Sequence, residues 1–227
     1  ELPVPMPKDR KNRPRTGFSF SRFLIPALAG YQGRAMYLDA DMQVFGDITG
    51  LWDLDMGERT VLCTRQDEAP ALWKDSSWFK PGRQMSVMML DCGRLDWNIE
   101  TIVAGLDDGA YSYEDLLFDM CIVPPEQLGD DLPPVWNHLE HYEPGSTRLL
   151  HYTVVPTQPW KNDQNPLRHL WEEAFAEAWH ERAIEPHLLV GQIKGKHVKK
   201  SLRSLAAELP ELTPRAPVNG LEVELRA

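Results

Sequence analysis

The run Ser-Val-Met-Met-Leu at residues 86–90 is the part of this chain least able to remain near water. A short unbroken apolar stretch of this kind predicts a strand covered on both faces, an interior strand of an α/β sheet. Shorter apolar runs at residues 35–38 (AMYL), 62–63 and 149–152 predict further strands. Helical spacing covers residues 19–28, 99–106 and 113–122. Pro26 fits the first of these only if it falls in the opening turn. Residues 1–15, rich in Pro, Lys and Arg, read as an extended lead-in. Beyond Pro166, the stripe of Leu170, Phe175, Ala178 and Trp179 predicts a helix. A basic stretch with Lys194, Lys196, Lys199, Lys200 and Arg203 then leads into a last short helix. Strands alternating with helices predict an α/β core over residues 1–165 and a helical C-terminal extension over residues 166–227.

Composition narrows the function. With 227 residues and 42% hydrophobic content the chain can bury one good core. A formal charge of -10 argues against nucleic acid as a partner, because phosphate contacts need Lys and Arg. Cys63, Cys92 and Cys121 are widely spaced, which implies neither a zinc knuckle nor a disulfide framework. That usage predicts a reducing, cytoplasmic compartment. No apolar run approaches the ~20 residues of a membrane span, and no signal peptide is visible.

The apolar run at residues 35–38 ends abruptly in Asp39-Ala40-Asp41. Ligands of open α/β sheets bind where strands end and the chain leaves the core. Residues i and i+2 of an extended segment point to one side, so both carboxylates can face one site. Two such carboxylates repel unless a cation lies between them, and hard divalent ions prefer oxygen ligands. The same spacing also arises by chance in any acidic chain, as at Asp53-Leu54-Asp55, which has no strand before it. An EF-hand is excluded, because Val44 and Gly50 stand where that loop needs Gly and Glu.

Residues 22–52, RFLIPALAGYQGRAMYLDADMQVFGDITGLW, resemble the most recognisable stretch of family 8 glycosyltransferases, the glycogenin and bacterial galactosyltransferase group. That group shows an Arg-Leu helix, an apolar strand into Y-L-D-A-D and a step into Leu-Trp. The resemblance implies a Rossmann-like fold of the GT-A type and a metal-dependent enzyme. Such an enzyme transfers a hexose from a nucleoside diphosphate sugar, with UDP-sugar expected, to a hydroxyl acceptor with retention at the anomeric carbon. By similarity Asp39 and Asp41 hold the cation that bridges to the diphosphate, and Arg22 faces the donor.

Three later segments follow in the family's order. Residues 83–88 lie where relatives carry F-N-A-G-V, which puts Gln84 in place of the sugar-facing Asn. Residues 113–117 lie where relatives carry D-Q-D or D-Q-G, which puts Glu114 at the reactive face of the sugar and Asp115 at the donor. His151 opens H-Y-T-V-V-P-T-Q-P-W, similar to the family's H-x-x-G-x-x-K-P-W, whose His is the third metal ligand. Gln158 stands in the Lys place, and Lys161 is the substitute expected to steady the diphosphate. Trp136-Asn137 resembles the loop that carries an Asn before the His segment. An imidazole ligand suits Mn²⁺ and is unusual for Mg²⁺, so manganese is expected and magnesium is the second choice.

Family members open with a strand–helix–strand unit that holds the base, and no such unit precedes Ser19. The expectation is therefore a core that lacks its N-terminal base-binding unit. The basic stretch near Lys199 is read as a solvated end, with phosphate or an anionic membrane surface as the alternative contact. Two rival functions compete. A haloacid dehalogenase-like phosphatase would use the acidic pair with Asp130 and Asp131, although Gln43 does not fit its motif. A non-catalytic nucleotide-sugar-binding module would explain Gln84, Tyr113 and Gln158.

Overall fold

Strand β4 (Gly82–Asp91) is the axis of the larger sheet. The computed structural model of the chain describes residues 4–14, 16, 18–70, 79 and 81–204. β4 lies between β1 (Arg34–Leu38) and β3 (Val61–Gln66), antiparallel to both, and β3 pairs in parallel with β5 (Leu128–Gly129). Val87, Met88, Met89 and Leu90 are all fully buried, as their unbroken apolarity requires.

The two-residue period of the strands sorts these side chains into two cores. Met88 and Leu90 join Val61, Cys63, Ala35 and Tyr37 on one face, packed with Phe20, Phe23, Trp97 and the helices α3 (Ile99–Asp107) and α4 (Tyr113–Leu117). Val87 and Met89 join Leu62, Met36 and Leu38 on the other, with Leu51, Leu132, Trp136 and Leu149. Cys63 lies deep in the first core, and burial pushes its thiol up to about 12.

Before β1, Ser21–Leu24 forms a 3-10 turn that runs into α1 (Ile25–Leu28), with Pro26 in the first turn, where its missing N–H costs little. Between β2 (Met42–Val44) and β3 lies α2 (Thr49–Trp52). The helix expected over residues 113–122 is cut to five residues: Phe118 caps it, and Met120 takes a positive φ of 50° that a helix cannot continue through. A second sheet has the order β2, β7 (Leu149–His151), β6 (His138–Leu139), with β2 antiparallel and β6 parallel to β7.

The chain divides into two compact units, residues 1–154 and 155–227. Within the second unit the Trp160 ring is tilted 5.8 Å from that of Trp171, and the Trp160 carbonyl accepts from Lys199 N–H at 2.7 Å. In this second unit, α5 (Arg168–His180) carries Trp171, Phe175 and Trp179 one turn apart, their rings 5.3 and 6.2 Å from each other in sequence. They pack with Leu189 of α6 (Pro186–Lys194) and with Leu202. Lys199 is not part of a solvated end. Its Nζ is buried, 2.6 Å from both Asp163 Oδ1 and Glu172 Oε1. The helix expected after Arg203 falls largely outside the described residues. No helix among the described residues is long and apolar enough to cross a membrane.

Candidate metal and donor site

Asp39 follows β1 directly, and its N–H donates to Ser86 O at 2.9 Å, which extends the pairing with β4 by one step. The strand period therefore places its side chain on the same face as Tyr37. The Tyr37 hydroxyl donates to Asp39 Oδ1. Arg22 comes from the 3-10 turn packed on that face and is only 8% exposed. Its Nη1 donates to Met85 O at 2.9 Å, and its Nη2 lies 2.9 Å from Tyr37 Oη and 3.4 Å from Asp39 Oδ1. Arg22 Nε is buried without an acceptor among the described residues. Burial, opposed by Arg22 and reinforced by Asp39, holds the Tyr37 phenol well above its ordinary pKa, so it remains a donor at any working pH.

His151 reaches the same place from the other sheet. β2 pairs with β7 so that Met42 faces His151, and Tyr152 N–H donates to Asp41 O at 2.9 Å. His151 Nε2 stands 3.0 Å from Asp41 Oδ1, and its Nδ1 stands 3.2 Å from Asn137 Oδ1. Asn137 Nδ2 in turn donates to Thr64 Oγ1 and Ser86 Oγ, each at 3.0 Å. The sequence singled out Asn137 by resemblance alone. It offered no signal for Tyr37, Thr64 or Ser86, whose side chains meet the site only through strand register.

One ligand atom each from Asp39, Asp41 and His151 lies within 4.8 Å of the others. Two carboxylate oxygens and an imidazole nitrogen form the donor set of a divalent cation of the manganese kind. An imidazole nitrogen and a carboxylate oxygen at 3.0 Å cannot both be bare acceptors, so they need a proton or a cation between them. The residues present therefore fit the metal that the resemblance implies.

The other expected residues are not among the three of this group. Between Cys63 and Thr64 the β4 partner jumps from Met88 to Gln84, so β4 bulges over residues 85–87. The bulge places Gln84 opposite Thr64, beyond the site's Asn137 anchor. Glu114 and Asp115 line a cleft of about 350 Å³ with Arg65, Arg83, Phe118 and Asp119. Glu114 is exposed there. Asp115 closes a capping box: its Oδ2 accepts from Ser112 N–H and Oγ at 2.8 Å, and these bonds hold its carboxyl below the usual range. That task competes with the donor contact expected of it. Lys161 is an exposed residue of the second unit, its N–H donating to Gln158 O at 2.8 Å. Asp130 and Asp131, the later acids of the phosphatase alternative, do not join the metal group. Asp130 pairs with Arg65 at 3.0 Å, and Asp131 pairs with Arg59 at 3.1 Å.

Residues 7–87 match the family described as Glycosyl transferase family 8. A curated relative, Protein CDI of Arabidopsis thaliana, is 29% identical over 184 residues, covering 76% of this chain and 66% of that protein. The apo-form glycosyltransferase GlyE of Streptococcus pneumoniae TIGR4 superposes with a TM-score of 0.50 at 22% identity, over 70% of this chain and 43% of GlyE. The galactosyltransferase LgtC, solved with donor and acceptor sugar analogues, aligns with a TM-score of 0.47 at 14% identity, over 68% of this chain and 65% of LgtC. The chain thus spans just under two thirds of the curated relative and less than half of GlyE. The likeness to GlyE establishes the fold, the α/β GT-A fold of glycosyltransferases.

Proposed function

We propose that this chain, whose residues 7–87 match glycosyl transferase family 8, is a glycosyltransferase that moves a hexose from a nucleoside diphosphate sugar to a hydroxyl acceptor. UDP-sugar is the proposed donor, retention the stereochemical course, and the cytoplasm the compartment. The observation that carries the reading is the convergence within 4.8 Å of Asp39 and Asp41, inside the matched segment, with His151, which lies outside it.

These three residues would hold Mn²⁺. When bound, the ion supplies positive charge that stabilises the departing diphosphate. Arg22 holds Asp39 in place and offers a buried, permanent positive charge beside it. Gln84 and Glu114 are assigned to the sugar, Gln84 as a hydrogen-bonding amide and Glu114 as a carboxylate that stabilises positive charge developing at the anomeric carbon. Asp115 is assigned to holding the start of α4, and through it Glu114.

The test is release of nucleoside diphosphate from a panel of nucleotide sugars, with Mn²⁺ and with a chelator. The reading expects release from one donor, dependent on Mn²⁺ and lost in Asp39→Asn. Release that ignores both the chelator and the substitution would overturn the site.

A further inference from the structure

Asp39 belongs to the end of one sheet and His151 to a strand of the other, so the spacing between these ligands needs a part that spans both. We infer that Asn137 and Ser86 form a positioning clamp that presets His151 and Asp39 for a divalent cation, an inference that rests on the metal reading above.

Ser86 sits in the bulge of β4 and serves two partners. Its carbonyl accepts Asp39 N–H at 2.9 Å, and its hydroxyl accepts from Asn137 Nδ2 at 3.0 Å. Asn137 follows the 3-10 turn Pro134–Trp136, is 3% exposed, and spends its second amide proton on Thr64 Oγ1. With Nδ2 committed to two hydroxyls, Oδ1 is left facing His151 Nδ1 and can only accept. Nδ1 therefore carries a ring proton, and Nε2 is the ring atom left to share a cation with Asp41. Neither clamp residue supplies a ligand atom of the group. Their effect is to hold the Nδ1 proton and the ring plane before the ion arrives, as the outer partners of metal-binding histidines do.

The test uses the full 227-residue chain and needs no turnover. Free Mn²⁺ is followed by electron paramagnetic resonance in a titration with and without UDP. The proton on His151 Nδ1 is followed separately by ¹⁵N NMR without metal. In the parent the proton is expected on Nδ1. Asn137→Ala is expected to weaken Mn²⁺ binding by ~10- to 100-fold and to release the Nδ1 proton to exchange. Asn137→Asp, which keeps an acceptor for Nδ1–H, is expected to recover most of the affinity. Ser86→Ala, which removes one anchor and adds no bulk, is expected to cost about 5-fold.

A parent whose His151 Nδ1 carries no proton, or an Asn137→Ala protein that binds Mn²⁺ like the parent, overturns the clamp. A parent that binds no Mn²⁺ overturns the metal reading instead, and the NMR result then still decides the clamp. If Asn137→Ala does not fold, Ser86→Ala and the parent's NMR spectrum decide it.

Discussion

Arg22 lies flat against Tyr37, its guanidinium carbon 4.5 Å from the ring centroid, while its Nη2 stands 2.9 Å from the phenol oxygen. The stacked face and the planar fork are used together, so the charge beside Asp39 has one orientation. An ammonium on a flexible stem cannot reproduce this. Arg22→Lys should keep the charge, lose the bonds to Met85 O and Tyr37 Oη, and destabilise the protein by about 1–3 kcal/mol. Urea unfolding measures it. A change below about 0.5 kcal/mol would mean that the fork is not needed.

Glu114 lines the charged cleft from the start of α4. If it faces the anomeric carbon, Glu114→Gln should leave donor binding intact and lower turnover by ~100-fold, about 2.7 kcal/mol of transition-state stabilisation. If it only favours the helix dipole, turnover should hold and stability should fall by a few tenths of a kcal/mol. Donor binding by calorimetry beside single-turnover rates separates the two.

His138 is half-buried, its Nδ1 2.7 Å from Thr147 Oγ1 and its ring 5.2 Å from that of His141. Burial, followed by the neighbouring His141, lowers its pKa below the ordinary value, against a smaller opposing pull from Glu143. The unfolded chain therefore takes up this proton more readily than the folded one. The stability it contributes is complete above the unfolded value of about 6.5 and is lost as pH falls from there through the folded pKa. His138→Gln should flatten the stability profile as pH falls below about 6.5. Thermal unfolding of the two proteins across that window checks it, and parallel profiles would count against it.

Leu90 is fully buried on the face of β4 that meets α3 and α4. Leu90→Ala should cost about 2–5 kcal/mol through lost burial and the cavity left behind. Chemical denaturation reads this directly. A loss under about 1 kcal/mol would mean that the core collapses around the site.

Much of the frame was legible from local pattern. The run at residues 86–90 announced an interior strand, because no half-exposed strand tolerates Val87 to Leu90 without a polar residue. It did not announce the direction of its neighbours. Burial on both faces is common in parallel sheets, yet here both partners of β4 are antiparallel. The helix expected over residues 113–122 was overdrawn, because helical spacing says nothing about the backbone turn at Met120. Lys199 looked solvated because the sequence does not show Asp163 and Glu172 closing on it.

What the sequence determined by itself was the placement of an acidic pair at a strand end and, through family resemblance, the third partner His151. Both depend on short-range features: the two-residue period of a strand, its abrupt end, and motif order. Tertiary structure alone decided which groups surround that pair. Asp41 and His151 are 110 residues apart, Asn137 and Thr64 are 73 apart, and Asn137 and Ser86 are 51 apart. Contacts over such separations follow from strand register and from one bulge in β4, and both are set by the packing of two cores rather than by any local run of residues.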